Sequence, residues 1–127
     1  MATKQGYHYY TKNEIDENFA TYYNATSDPK GYAVIGDSIL ICFGTATISN
    51  VGTGAYGEGS ASITFPKSFG GVPALTLGVA DVSSAVGEYA AYENLTQTGA
   101  TIWAGHVAAS SQTTMTVNWI AIGSVGT

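Results

Sequence analysis

Residues 63–81 read ITFPKSFGGVPALTLGVAD, and this stretch decides the fold. Ile63 and Phe65 alternate with Ser62 and Thr64, the period-two pattern of a half-buried β-strand. Pro66 removes a ladder donor and ends that strand. Phe69 falls in a turn-rich segment, where its ring is placed to plug the end of a core. Gly70, Gly71 and Pro73 complete a corner. A second strand then sets Leu75, Leu77 and Val79 on one face, with Ala74, Thr76, Gly78 and Ala80 on the other. Small residues on that second face suit close approach by another sheet or another subunit. A central strand, a plugged corner and its successor describe the waist of an antiparallel β-sandwich.

Strand signals continue on both sides of this waist. Residues 32–35 form a short strand and Gly36-Asp37 a turn. A long run over 38–49 then carries Ile39, Ile41 and Phe43 on one face. Residues 50–59 are a glycine-rich loop with Tyr56 at its tip. Downstream come a loop at 82–87, a strand over 88–95, a tight turn at 96–99 and a strand over 100–108. A turn at 109–112 leads into the last strand, 113–122. Short turns at this spacing give a sandwich of six or seven strands rather than a parallel sheet. The N-terminal part differs. Thr11-Lys12-Asn13-Glu14 is a capping box, and Ile15, Phe19 and Tyr22 or Tyr23 recur at helical spacing. The organisation expected is therefore an N-terminal segment with a short helix over 1–31, then a β-sandwich domain over 32–127.

Composition narrows the function. The chain has 127 residues, room for one domain with a real core. Only 10% of its residues are charged, against about 25% in an ordinary globular domain. After Gly44 the charged residues are only Glu58, Lys67, Asp81, Glu88 and Glu93. So little charge on an open surface gives poor solubility, and oligomerisation is the better explanation. The net charge is −5 and arginine is absent. That excludes the guanidinium fork that grips phosphate, and with it nucleic acid and anionic lipid as partners. The single cysteine, Cys42, lies in an apolar run and reads as a small core residue. No apolar run reaches membrane-spanning length, so no membrane insertion is expected.

Several motifs have a plainer reading beside the chemical one. Gly36-Asp37-Ser38-Ile39 has the look of a GDS esterase block, but that serine needs a base from an Asp-x-x-His near the chain end. His106 has no such aspartate, and the segment reads as a turn. With His8 and His106 the only histidines, no cluster has metal-ligand spacing. No catalytic residues, metal or cofactor are expected. The aromatics carry more. Trp103, His106, Tyr89 and Tyr92, with Tyr56, lie on late strands or loops near Asp81 and Glu88. Flat rings beside carboxylates and amides are what a sugar site uses. The alternative is that Trp103 and Trp119 are both core; Trp119 is read as core, and for Trp103 the two readings stand level.

These residues also carry a family resemblance. Residues 10–16, YTKNEID, look like the YTKxEID segment of bacteriophage tail-fibre stalks. Gly31-Tyr32 through GDSILICFG (36–44) resembles the GY…NGLIIQWG opening of the tail-fibre C-terminal domain, with Cys42 and Phe43 where Gln and Trp are usual. ITFP (63–66) with Phe69, and WIAIG (119–123), match its ITFP…F and WIAIG blocks. The ordered set spans nearly the whole chain. The domain is similar to the H-type lectins, six-stranded sandwiches that assemble as trimers and bind sugars between subunits. Their binding strand best matches 100–108; they commonly add an arginine, which this chain lacks. The resemblance thus implies a homotrimeric, lectin-like tail-fibre tip on a virion or tail-like injection particle, binding a host surface glycan or surface protein, with Trp103 and His106 on the matching strand; the aromatics and carboxylates read above add Tyr89, Tyr92, Asp81 and Glu88 to the expected site. Two other functions are weighed against it: a purely structural trimerising cap, and a surface-polysaccharide depolymerase.

Overall fold

A computed structural model describes residues 31–80 and 87–126, and the backbone of two short strands at 3–4 and 7–8. The helix expected over 11–23 lies outside the described residues, as does Asp81. Strands β1 (Thr3–Lys4) and β2 (Tyr7–His8) pair antiparallel. The body is built from β3 (Tyr32–Ile35), β4 (Ile39–Ile48), β5 (Glu58–Thr64), β6 (Ala74–Val79), β7 (Glu88–Glu93), β8 (Gly99–His106) and β9 (Met115–Ser124). It is mainly β, with no helix among the described residues. A four-stranded sheet runs β3-β4-β9-β6 and a three-stranded sheet β5-β8-β7, every pairing antiparallel.

The chain crosses between sheets at the 49–57 loop, at the 65–73 corner, after β6 and after β8. Within the body, β3–β4 and β7–β8 are the pairs of consecutive strands joined as hairpins. The first hairpin turns at Gly36, whose φ of 61° suits a residue without Cβ. In the second, Thr96 N–H donates to Gly99 O at 2.9 Å, while Thr98 and Gly99 N–H reach Thr96 Oγ1 at 3.2 Å.

The deciding stretch is the crossover itself. Strand β5 ends at Thr64, and Phe65 N–H bonds Thr98 O at 2.8 Å just before Pro66 removes a donor. Phe69 plugs the end of the sandwich as expected. Its N–H reaches Gln97 O at 3.0 Å, and its ring meets Phe65 edge-on at 5.2 Å. Phe65 in turn lies 5.6 Å from the Trp119 ring. Each of these buried rings contributes about 1.5–3 kcal/mol of transfer free energy. One expectation is corrected. Neither strand flanking the corner is central, because β5 and β6 are edge strands of opposite sheets. Period-two alternation reports which faces a strand has, not how many neighbours it pairs with.

The core lies between the sheets. The four-stranded sheet supplies Leu40, Cys42, Ala46, Ile48, Leu75, Met115, Val117, Trp119 and Ala121, and the other supplies Ala100, Ile102 and Ala104. Trp119 fits because its β4 partner is Gly44, where a Cβ would meet ring atom Cζ2 at 2.7 Å. Cys42 is fully buried; its thiol points at Lys67 O at 3.6 Å, and burial pushes its pKa up, which leaves it a core residue. Since Leu40 and Cys42 face inward, Ile39, Ile41 and Phe43 face outward. With Ile35, Ile120 and Ile122 they form an apolar outer face on the four-stranded sheet.

Candidate functional site

The outer face of the three-stranded sheet has a different chemistry. Along β8, Ala100, Ile102, Ala104 and His106 point into the core, so Gly99, Thr101, Trp103 and Gly105 point out. Register brings Tyr89, Ala91 and Glu93 of β7 beside them on one side, and Glu58, Ser60, Ser62 and Thr64 of β5 on the other.

Two aromatic–carboxylate pairs organise this face. Trp103 Nε1–H donates to Glu93 Oε1 at 2.8 Å. Glu93 sits opposite Thr101, so the bond runs diagonally and fixes the indole across the sheet. In the next row but one, Tyr89 donates its hydroxyl to Glu58 Oε2 at 3.1 Å. Its ring reaches across β8 because the residue between them is Gly105, where a Cβ would meet Tyr89 Oη at 2.6 Å. Partial burial first, then the Glu58 carboxylate as acceptor and as charge, hold the Tyr89 phenol above its ordinary value. Tyr56, 72% exposed, ends the loop leading into β5, with its N–H bonded to Val107 O at 2.9 Å.

The six residues singled out from sequence do not form one cluster. Trp103 and Tyr89 share the outer face. His106 is 1% exposed and on the inner side, its Nδ1 2.6 Å from Ala108 O and its Nε2 2.8 Å from Gly52 O. Those contacts tie the 50–57 loop to the end of β8. Glu88 pairs opposite His106 on the inward side of β7. Tyr92 also turns away from Trp103 and lines an open groove of about 470 Å³ with Leu75, Leu77 and Ala90, between the β6 and β7 edges. Asp81 lies outside the described residues.

Glu58, Glu93 and Ser60 were missed by the sequence reading. For Glu93 a signal existed: a tight turn at 96–99 fixes the β7–β8 register and puts Glu93 diagonal to Trp103. Glu58 depends on a pairing made across a long connection, which sequence spacing does not give.

Electrostatically the face is negative. Among the residues whose side chains are described the only lysine is Lys67, at the corner, with Nζ 5.9 Å from the Tyr32 ring centroid. No group of three or more His, Cys, Asp or Glu is placed to hold a metal, and no helix is long and apolar enough to cross a membrane, among the described residues. What the face offers is two ring faces, two carboxylates with oxygens left over, and serine and threonine hydroxyls. That set suits a polyhydroxylated or amine-bearing ligand far better than an anion.

The fold is shared with solved structures of two related kinds. The chain superimposes on part of the tailspike protein gp49 of Pseudomonas phage LKA1 with a TM-score of 0.54, at 20% identity, covering 67% of this chain and 15% of that one. It matches the C-terminal R2 pyocin fibre of P. aeruginosa at TM-score 0.50 and 20% identity, covering 71% and 24%. Discoidin II of Dictyostelium discoideum matches at TM-score 0.54 and 14% identity, covering 72% and 40%. The chain thus spans well under half the length of each of these proteins. No protein-family model and no curated protein matches it. What these likenesses show is the fold, an antiparallel β-sandwich that also occurs in a tailspike, a pyocin fibre and a discoidin.

Proposed function

We propose that this chain is the receptor-binding tip of a phage tail fibre, or of a related tail-like injection particle. It acts as a homotrimer and adheres to a host surface glycan, with a surface protein as the other candidate receptor. The observation that carries this reading is the outer face of the three-stranded sheet. Trp103 and Tyr89 are hydrogen-bonded to Glu93 and Glu58, on a scaffold shared with a tailspike, a pyocin fibre and a discoidin. Fixed ring faces stack on the apolar faces of sugar rings, while the free carboxylate oxygens and Ser60 accept and donate to hydroxyls. Its role is adhesion rather than catalysis, and one such shallow face binds weakly. Three on one particle tip raise apparent affinity by about a hundredfold or more where receptors are dense.

A second reading, a purely structural trimerising cap of the fibre, is favoured by the apolar outer face of the other sheet. Binding of the purified chain to glycan arrays and whole cells separates the two. An adhesin gives retained signal that Trp103→Ala removes; a cap gives none at any protein concentration.

A further inference from the structure

The outer face of the four-stranded sheet carries a contiguous apolar surface. Across β3, β4, β9 and β6, register aligns Ile35 with Ile39, then Ala33, Ile41, Ile122 and Ala74 in one row, and Phe43, Ile120 and Thr76 in the next. Ile35 is 54% exposed, Ile120 and Ile122 48% each, Ile39 43% and Phe43 41%. Isolated exposed apolar residues are ordinary, but five large ones on adjacent strands make a patch. None of these rows carries a charged residue; Asp37 lies in the β3–β4 turn at their end.

We infer that this face is where copies of the chain meet, a reading that rests on the homotrimer proposed above and gives it its contact surface. Two observations favour a second copy as the occupant. The chain carries a net charge of −5, yet this face has no charged residue in its rows, so like chains meet here with no charge set against charge. Its two halves also differ in relief. Ile39, Ile41 and Phe43 project on β4, whereas β6 presents Ala74, Thr76 and Gly78, and a Cβ built on Gly78 meets nothing within 4 Å. A projecting half that seats on the small-residue half of the next copy is a heterologous contact, the kind that closes into a ring. The ring leaves the Trp103 face of every copy pointing away from the contact.

The test is the mass of the full chain by light scattering at micromolar concentration, for wild type, Ile120→Glu, Ile122→Glu and the control Ser62→Glu on the opposite outer face. A buried carboxylate without a partner opposes association, while in the separated chain each position is half-exposed and tolerates it. The expected result is a wild-type multiple of 13.1 kDa, a single-chain mass for both isoleucine variants with an unchanged β-type circular dichroism spectrum, and a wild-type mass for Ser62→Glu. If either glutamate variant fails to fold, Ile120→Thr and Ile122→Thr weaken association at least tenfold instead. An oligomeric wild type whose isoleucine variants all keep its mass overturns this inference and leaves the homotrimer standing. A monomeric wild type overturns the homotrimer and the inference together. If that monomer loses thermal stability steeply on Ile122→Glu, the face belongs to the chain's own residues 1–30.

Discussion

His106 and Gly52 meet at the C-terminal end of β8, with the imidazole Nε2 2.8 Å from the Gly52 carbonyl oxygen. The other ring nitrogen lies 2.6 Å from Ala108 O, and the backbone adds His106 N–H to Gly57 O at 3.0 Å. One side chain therefore pins two loops at once. Whichever nitrogen carries the proton, a loop carbonyl gains its donor from this ring.

The first prediction concerns that pin. His106→Ala deletes a fully enclosed ring and orphans at least one carbonyl, so stability falls by about 2–5 kcal/mol. Urea unfolding measures it. A variant as stable as wild type but defective in attachment would instead return His106 to the binding surface.

Tyr89→Phe tests the pairing with Glu58. The bond is solvent-exposed, so its loss lowers stability by no more than about 1 kcal/mol. The pH dependence has a definite sign. The folded-state pKa of Tyr89 is raised above its ordinary 10.0, so the native state binds the phenol proton more tightly than the unfolded chain does. The contribution is fully present below that ordinary value and is lost as pH rises through the raised one. Wild type and Tyr89→Phe thus differ by a constant amount from pH 6 to about 9, and the difference disappears in more alkaline solution.

Gly105 lets the Tyr89 ring cross β8. A Cβ there meets Tyr89 Oη at 2.6 Å and the backbone oxygen of Gly57 at 2.7 Å. Gly105→Ala therefore displaces the ring and costs about 1–3 kcal/mol of overpacking. Attachment drops with it, while the oligomeric mass is unchanged; both are read on the same preparation.

Salt gives a fourth check. With no cation on the Trp103 face among the described residues, attachment does not depend on pairing with a polyanion. Attachment to cells changes less than twofold between low and physiological ionic strength. A steep loss with salt would show that an anionic polymer is being held electrostatically.

The sequence disclosed the fold more readily than the site. Ile63–Pro66 and Phe69 announced a strand, a stop and a plug, and the positions of the seven body strands followed from turn residues at regular intervals. Whether an alternating strand is central or at an edge, and which of its faces looks inward, depend on the partner sheet. Ile39, Ile41 and Phe43 share a face as the pattern states, yet the smaller Leu40, Cys42, Ala46 series holds the core. The site suffered from the same gap. Trp103 and His106 are three residues apart on one strand, so an odd separation puts them on opposite faces. That parity was legible, whereas the Tyr89–Glu58 contact required the β5–β8 register.

The central claim is adhesion through the Trp103 face, and retention of the labelled chain on host cells and glycan arrays, wild type against Trp103→Ala, tests it most directly. Trp103 is only half-buried and its indole N–H is bonded to Glu93, so alanine leaves the core intact. The account predicts retained wild-type signal, at least a tenfold loss in the variant, and identical masses for the two. Equal retention of both proteins, or no retention of either, would contradict it.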